Sequence, residues 1–176
     1  MKRKFTKYPS SYIQASAKSR RAWKQFNGEP TSDEAVKLAE DGGLELWQPL
    51  TFEGAVKLAR IGSRIDNHGG IDWDAVGRWD TSAEGQGSRF FDIYSKMAPL
   101  YIFINRSDPH EKYQFWPGSL AGKNDLLADI RDRVLSGSAL DEFFEEHPKF
   151  AECLNVYEDV DACSDTKYAA DMSNYL

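Results

Sequence analysis

Two apolar segments separated by a short polar stretch place the strongest constraint on the fold. Residues 100–104 (LYIFI) are apolar throughout, which is typical of a β-strand covered on both faces. Residues 112–116 (KYQFW) alternate, as expected for a strand with two different faces. Residues 105–110 between them suit a turn, so the simplest arrangement is an antiparallel hairpin over about residues 100–116.

The other patterned segments predict helices and one further strand. Helices are expected over residues 10–26, 31–41, 51–60, about 90–94, 125–135 and from 138 onward, and a strand over residues 44–48. Thr31 and Glu34 form a capping-box pattern, and Gly42-Gly43 would end that helix. Thr51 and Ser138 are the expected N-caps of two later helices. The chain therefore predicts an α+β fold, with a small antiparallel sheet covered by several helices.

The string Ala-Val-Lys-Leu-Ala occurs twice, at residues 35–39 and 55–59. Two copies in different surroundings are too few for a repeat protein, which needs at least about three. Both strings are good helix formers, so we expect two helices that each bury one valine and one leucine.

Length and composition favour one folded domain spanning residues 1–176, since a chain of this size buries on the order of 70% of its unfolded surface. No apolar run approaches the roughly 20 residues of a transmembrane helix. The basic start lacks the apolar stretch of a signal peptide, so we expect the protein in the cytoplasm. Cys153 and Cys163 are then reduced thiols, and their spacing matches no zinc motif.

Charge is segregated along the chain. The first 24 residues, which include a basic arm over about residues 1–10, contain eight basic residues and no acidic one, although the net charge is −6. Residues 141–176 form an acidic region. An acidic domain repels nucleic acid over most of its surface, so direct nucleic-acid binding is expected only through the N-terminal arm.

Two interpretations of the acidic region remain open. Its charges are either solvated or attracted to the basic arm, or they bind a basic host protein that itself binds nucleic acid. In the second interpretation the candidate partner-binding residues are Glu142, Glu145, Glu146, Glu152, Glu158 and Asp159.

A glycine-rich loop, residues 85–89 (GQGSR), precedes the aromatic helix. Backbone amides at the start of the helix, together with an arginine side chain, would bind a phosphate group. The loop lacks the Lys-Ser/Thr pair of a P-loop, and Ser88 as a helix cap explains the same residues. If a ligand binds here, the candidate binding residues are Arg78, Asp80, Arg89 and Gln114.

Other possible sites have simpler explanations. Residues 66–74 contain three aspartates and a histidine, but they do not match a calcium loop, and a solvated turn is favoured. The hairpin aromatics suit a core better than a base-stacking platform, because only Arg106 and Lys112 add positive charge there. The three histidines form no motif with a nucleophile, so we expect no catalytic residue, metal site or cofactor.

Several strings in the central quarter of the chain follow a recognisable order: RWDTS (78–82), FFDIY (90–94), PLYIFI (99–104) and EKYQF (111–115). With FTKYPSSYI (5–13), they resemble a domain found in many small proteins of tailed bacteriophages and related mobile elements. That resemblance implies a phage origin and carries no established activity.

Asp80 departs from the pattern, because members of that group usually have a cysteine after the tryptophan. If that cysteine is a nucleophile in the group, this chain lacks the thiol chemistry, since an aspartate cannot replace a thiolate. The loop around Asp80 would then have a structural or binding role.

These observations give one leading hypothesis and two alternatives. We expect a phage-encoded, non-catalytic interaction protein that binds and inhibits a host factor, a component of host defence, in the host bacterial cytoplasm. The first alternative is an enzyme acting on a nucleotide or another phosphate-bearing substrate. The second is a virion or assembly component whose basic arm neutralises packaged DNA.

Overall fold

A six-stranded antiparallel sheet forms the centre of the fold. The computed structural model describes residues 12–14, 27–65, 67–83, 86–120, 123–135 and 137–156. The strands, in chain order, are β1 (Tyr12–Gln14), β2 (Ala35–Asp41), β3 (Leu44–Pro49), β4 (Gly70–Asp72), β5 (Tyr101–Asn105), β6 (Lys112–Leu120), β7 (Lys123–Asp129) and β8 (Val134–Leu135). The main sheet has the order β2-β3-β5-β6-β7-β8, and β1 pairs with β4 in a separate two-stranded sheet.

Helices cover both faces of this sheet. They are α1 (Phe52–Arg60), α2 (Gly87–Met97), α3 (Ser138–Glu146) and α4 (Pro148–Cys153), and single 3-10 turns occupy Trp73–Ala75 and Asp80–Ser82. Side chains of α1 and α2 share one buried cluster with the sheet, whereas α3 and α4 share another. The predicted α+β fold, an antiparallel sheet covered by helices, is therefore confirmed.

The predicted hairpin is also confirmed, and its register explains the uniformly apolar β5. Ile102 pairs with Gln114, and Phe103 pairs with Tyr113. Ile102 belongs to the cluster under α1 and α2, while Phe103 lies 5.0 Å from the Phe143 ring of α3. Alternate side chains of residues 101–104 thus enter two separate cores, so each of these four positions is apolar.

The predicted helix over residues 31–41 is wrong, because residues 35–41 form strand β2. Glu34 does accept the Thr31 amide hydrogen (2.9 Å), but this bond closes a turn and no helix follows. Gly42 and Gly43 both have positive φ and connect β2 to β3 as a two-residue hairpin turn. Glycines that we interpreted as a helix end therefore make a strand reversal.

The predicted helix over residues 125–135 is wrong as well. Ala128 pairs with Gln114 on one side and with Val134 of β8 on the other. Asp129 makes the turn between β7 and β8, because its carboxylate accepts the backbone amides of Arg131 (2.9 Å) and Arg133 (3.0 Å). The apolar residues of this segment are spaced as in a helix, but most of them lie in strands β7 and β8.

Most of the other predicted elements are present. The strand over residues 44–48 is β3, and Thr51 caps α1 by accepting the Gly54 amide hydrogen (3.1 Å). The aromatic helix is α2, but it begins at Gly87 without a side-chain cap, so the predicted Ser88 cap is wrong. Helix α3 begins at Ser138, but its N-cap is Gly137, so the predicted Ser138 cap is wrong.

Three predictions concern regions that the structure describes only in part. Within the segment predicted as a helix over residues 10–26, residues 12–14 form β1, and the others lie outside the described residues. The basic arm and the end of the acidic region from residue 157 onward also lie outside them.

Helix α1 approaches the start of β2 so closely that only glycine fits at position 54. A Cβ on Gly54 would stand 2.0 Å from the carbonyl oxygen of Glu34. That oxygen also accepts the Leu50 amide hydrogen (2.8 Å), so it is held from a second direction. The Glu34 carboxylate binds the Lys57 ammonium of α1 at 2.8 Å, which fixes the same junction.

We predict that Gly54→Ala destabilises the protein by about 1–3 kcal/mol or more, because the added methyl group collides with backbone. Glu53→Ala, an exposed substitution in the same helix, should stay within about 0.5 kcal/mol of the wild type. Urea unfolding followed by tryptophan fluorescence measures both values. Equal stability of the two variants would contradict the close approach.

Candidate functional site

A cavity of about 250 Å³ opens beside β6, β7 and β8, on the sheet face that carries α2. Its lining combines aromatic, aliphatic and polar side chains. The lining residues are Trp79, Tyr94, Trp116, Leu100, Leu126, Ala128, Val134, Asp80, Thr81, Gln114 and Asp132. Polar and apolar groups contribute about equally to its exposed lining, and its volume is smaller than that of most ligand-binding cavities.

Strand register explains how the sheet contributes to this lining. Gln114 and Trp116 are two residues apart on β6, so their side chains lie on the same face. Their partners on β7 are Ala128 and Leu126, and Val134 of β8 pairs with Ala128. Three neighbouring strands therefore place a continuous row of side chains along one wall of the cavity.

The two tryptophans of the lining are held by hydrogen bonds to backbone. The Trp79 Nε1 atom donates to the carbonyl oxygen of Asp129 (2.8 Å), and the Trp116 Nε1 atom donates to that of Tyr94 (3.1 Å). The Tyr94 and Trp116 rings meet edge to face, with centroids 4.9 Å apart. These contacts hold both indole rings in place, and the two side chains are only 1% and 2% exposed.

Glycines make room for both indole rings. A Cβ on Gly77 would stand 2.3 Å from the Trp79 ring, and a Cβ on Gly118 would stand 2.1 Å from the Trp116 ring. Neither distance is possible for real atoms, so any larger residue would displace the ring. The shape of the cavity thus depends on two glycines that do not line it.

A buried polar pair lies at the base of the cavity. The Thr81 hydroxyl is 2.9 Å from both the Oε1 and Nε2 atoms of Gln114, so it can donate to the first and accept from the second. Thr81 is 4% exposed and Gln114 is 9% exposed. This pair joins the Asp80–Ser82 turn to the middle of the sheet.

The structure brings together two of the four predicted ligand-binding residues. Asp80 and Gln114 both line the cavity, whereas Arg78 and Arg89 do not. The Arg78 Nη2 atom is 3.0 Å from the Asp74 carboxylate, and Arg89 is exposed on α2. Gly85 of the proposed anion-binding loop lies outside the described residues. Asp132, which sequence reasoning missed, also lines the cavity, and no local pattern marks it.

The predicted partner-binding residues lie on the other side of the sheet. Glu142, Glu145 and Glu146 are exposed on α3, and Glu152 is exposed on α4. Glu158 and Asp159 lie outside the described residues. The acidic helices and the cavity therefore belong to opposite faces of the sheet.

A second polar cluster surrounds Lys112, which is 1% exposed. Its ammonium donates to the carbonyl oxygens of Ala75 (2.5 Å) and Pro109 (2.6 Å). Burial lowers the pKa of Lys112 to about 8, although the negative charges of Asp72 and Asp108 oppose that shift. With so little exposure, this lysine connects two loops to the sheet and does not offer a reactive amine to solvent.

The prediction of a solvated turn over residues 66–74 is wrong at Asp72, which is buried. Asp72 is 8% exposed, its Oδ2 atom is 3.3 Å from the His110 Nε2 atom, and its Oδ1 atom is buried without a hydrogen-bond partner. No group of three or more potential metal ligands occurs among the described residues. The segment is therefore partly buried structure.

Comparisons with known proteins add no relative to this picture. No protein-family model, curated protein or solved structure matches the chain. Within the part of the chain that the structure describes, no helix has the length and apolar character needed to span a bilayer.

We predict that Thr81→Val destabilises the protein by roughly 1–3 kcal/mol, because it leaves the buried Gln114 amide without its partner. Gln114→Met should have a comparable effect by leaving the Thr81 hydroxyl unpaired. The double variant should lose less stability than the sum of the single variants, and urea unfolding of all four proteins measures this coupling. Strictly additive losses would contradict the pairing.

We predict a stability difference above neutral pH that depends on Lys112. An unfolded lysine keeps its proton up to about pH 10.5, whereas the folded protein releases this proton near pH 8, so rising pH favours the folded state in this window. Relative to Lys112→Met, the wild type should gain up to about 3 kcal/mol between these pH values. Lys96→Met, on the exposed surface of α2, controls for the loss of a lysine. Parallel unfolding profiles of the wild type and Lys112→Met would contradict the prediction.

Proposed function

We propose that the protein is a phage-encoded, non-catalytic interaction protein that binds and inhibits a basic host protein, a component of host defence. The surface that we assign to this role is the acidic helical face, which comprises Asp141, Glu142, Glu145, Glu146 and Glu152 on α3 and α4. The observation that carries the proposal is that these five carboxylates are exposed and have no ion-pair partner among the described residues.

Packing of the two helices turns these carboxylates outward. Phe143, Phe144 and Phe150 are buried against the sheet, and rings from all three lie within 6.5 Å of Phe103 of β5. Asp41 of β2 accepts the backbone amide of Lys149 (3.0 Å), which ties the start of α4 to the sheet. A rigid apolar underside therefore presents the charges to a partner in a fixed arrangement.

The arrangement has an electrostatic cost that nothing in the described structure offsets. Glu142 and Glu146 are four residues apart on one helix, and like charges at this spacing destabilise a helix by about 0.2–0.5 kcal/mol. Glu145 and Glu146 also lie at the C-terminal end of α3, where the helix dipole disfavours negative charge, and no basic residue occupies that last turn. A basic partner would relieve both effects. The acidic helical face would then be retained for binding although it lowers the stability of the free protein.

The other elements of the proposal come from the sequence. The resemblance of residues 78–115 to small phage proteins supports a phage origin and the host bacterial cytoplasm as the place of action. The acidic face favours a basic partner, such as a host protein that binds nucleic acid.

The alternatives receive less support. An enzyme acting on a phosphate-bearing substrate would need cationic groups at its site, and neither Arg78 nor Arg89 lines the cavity. A role in the virion depends on the basic N-terminal arm, which lies outside the described residues.

The proposal is tested by affinity purification of the tagged protein from bacterial host cells, with mass spectrometry of what it retains. We expect one basic host protein at stoichiometric amounts, whose retention weakens as salt concentration rises. The variant E142Q/E145Q/E146Q should lose it. The variant D33N/E53Q/D92N removes the same number of negative charges from other exposed positions, and it should retain the partner.

Two results would contradict the proposal. One is that the wild-type protein retains no stoichiometric partner, and the other is that the three glutamine substitutions leave retention unchanged. The circular dichroism spectrum and unfolding midpoint of each variant show whether it is folded, so a loss of binding is not confused with a loss of structure.

A further inference from the structure

We draw no further inference here: the strongest candidate, the exposed apolar side chains of Val36 and Leu38 on β2, the strand at one edge of the main sheet, carries no proposal, because a β-bulge interrupts that edge and nothing among the described residues shows what covers it.

Discussion

The burial of β5 on both faces is the constraint on which the rest of the structure depends. A strand whose alternate side chains enter two cores needs a helical layer on each side and a hydrogen-bonded strand at each edge. β3 and β6 provide the neighbouring strands, α1 and α2 cover one face, and α3 and α4 cover the other. All four helices therefore contribute to the two cores that β5 separates.

Side chains of strand β6 connect the sheet to two turns outside it. Lys112 and Gln114 lie on the face covered by α1 and α2, where a polar side chain must find a partner. Lys112 binds the carbonyl oxygen of Ala75 in the first 3-10 turn, and Gln114 binds Thr81 in the second. Two buried polar residues thus fix two turns, and the second turn forms one side of the cavity. The acidic helices on the opposite face are held by apolar packing against the sheet and by the hydrogen bond from the Lys149 amide to Asp41, and their carboxylates remain exposed.

The two copies of Ala-Val-Lys-Leu-Ala show how far local sequence determines structure. Residues 35–39 belong to a strand and residues 55–59 to a helix, although their intrinsic propensities are identical. The second copy follows an N-cap at Thr51, whereas the first pairs with β3 through the hairpin turn at Gly42-Gly43. Helix propensities differ by only a few tenths of a kcal/mol per residue, so they did not prevent strand pairing at the first copy. The helix predicted over residues 125–135 is wrong for the same reason: the first part of this segment pairs with β6 as a strand, although its apolar residues are spaced as in a helix.

The sequence by itself determined the fold class, the central hairpin, helices α1 and α2 and the clustering of acidic residues near α3, because each depends on neighbours in the chain. It indicated Asp80 and Gln114 as candidate site residues, together with Arg78 and Arg89. Only the structure shows that Asp132 also lines the cavity and that the two arginines do not. Tertiary structure alone decided the six-stranded order, the burial of Lys112 and the cavity. The physical reason is that strand pairing and cavity lining depend on residues far apart in the chain, whose free energy of contact no local pattern records.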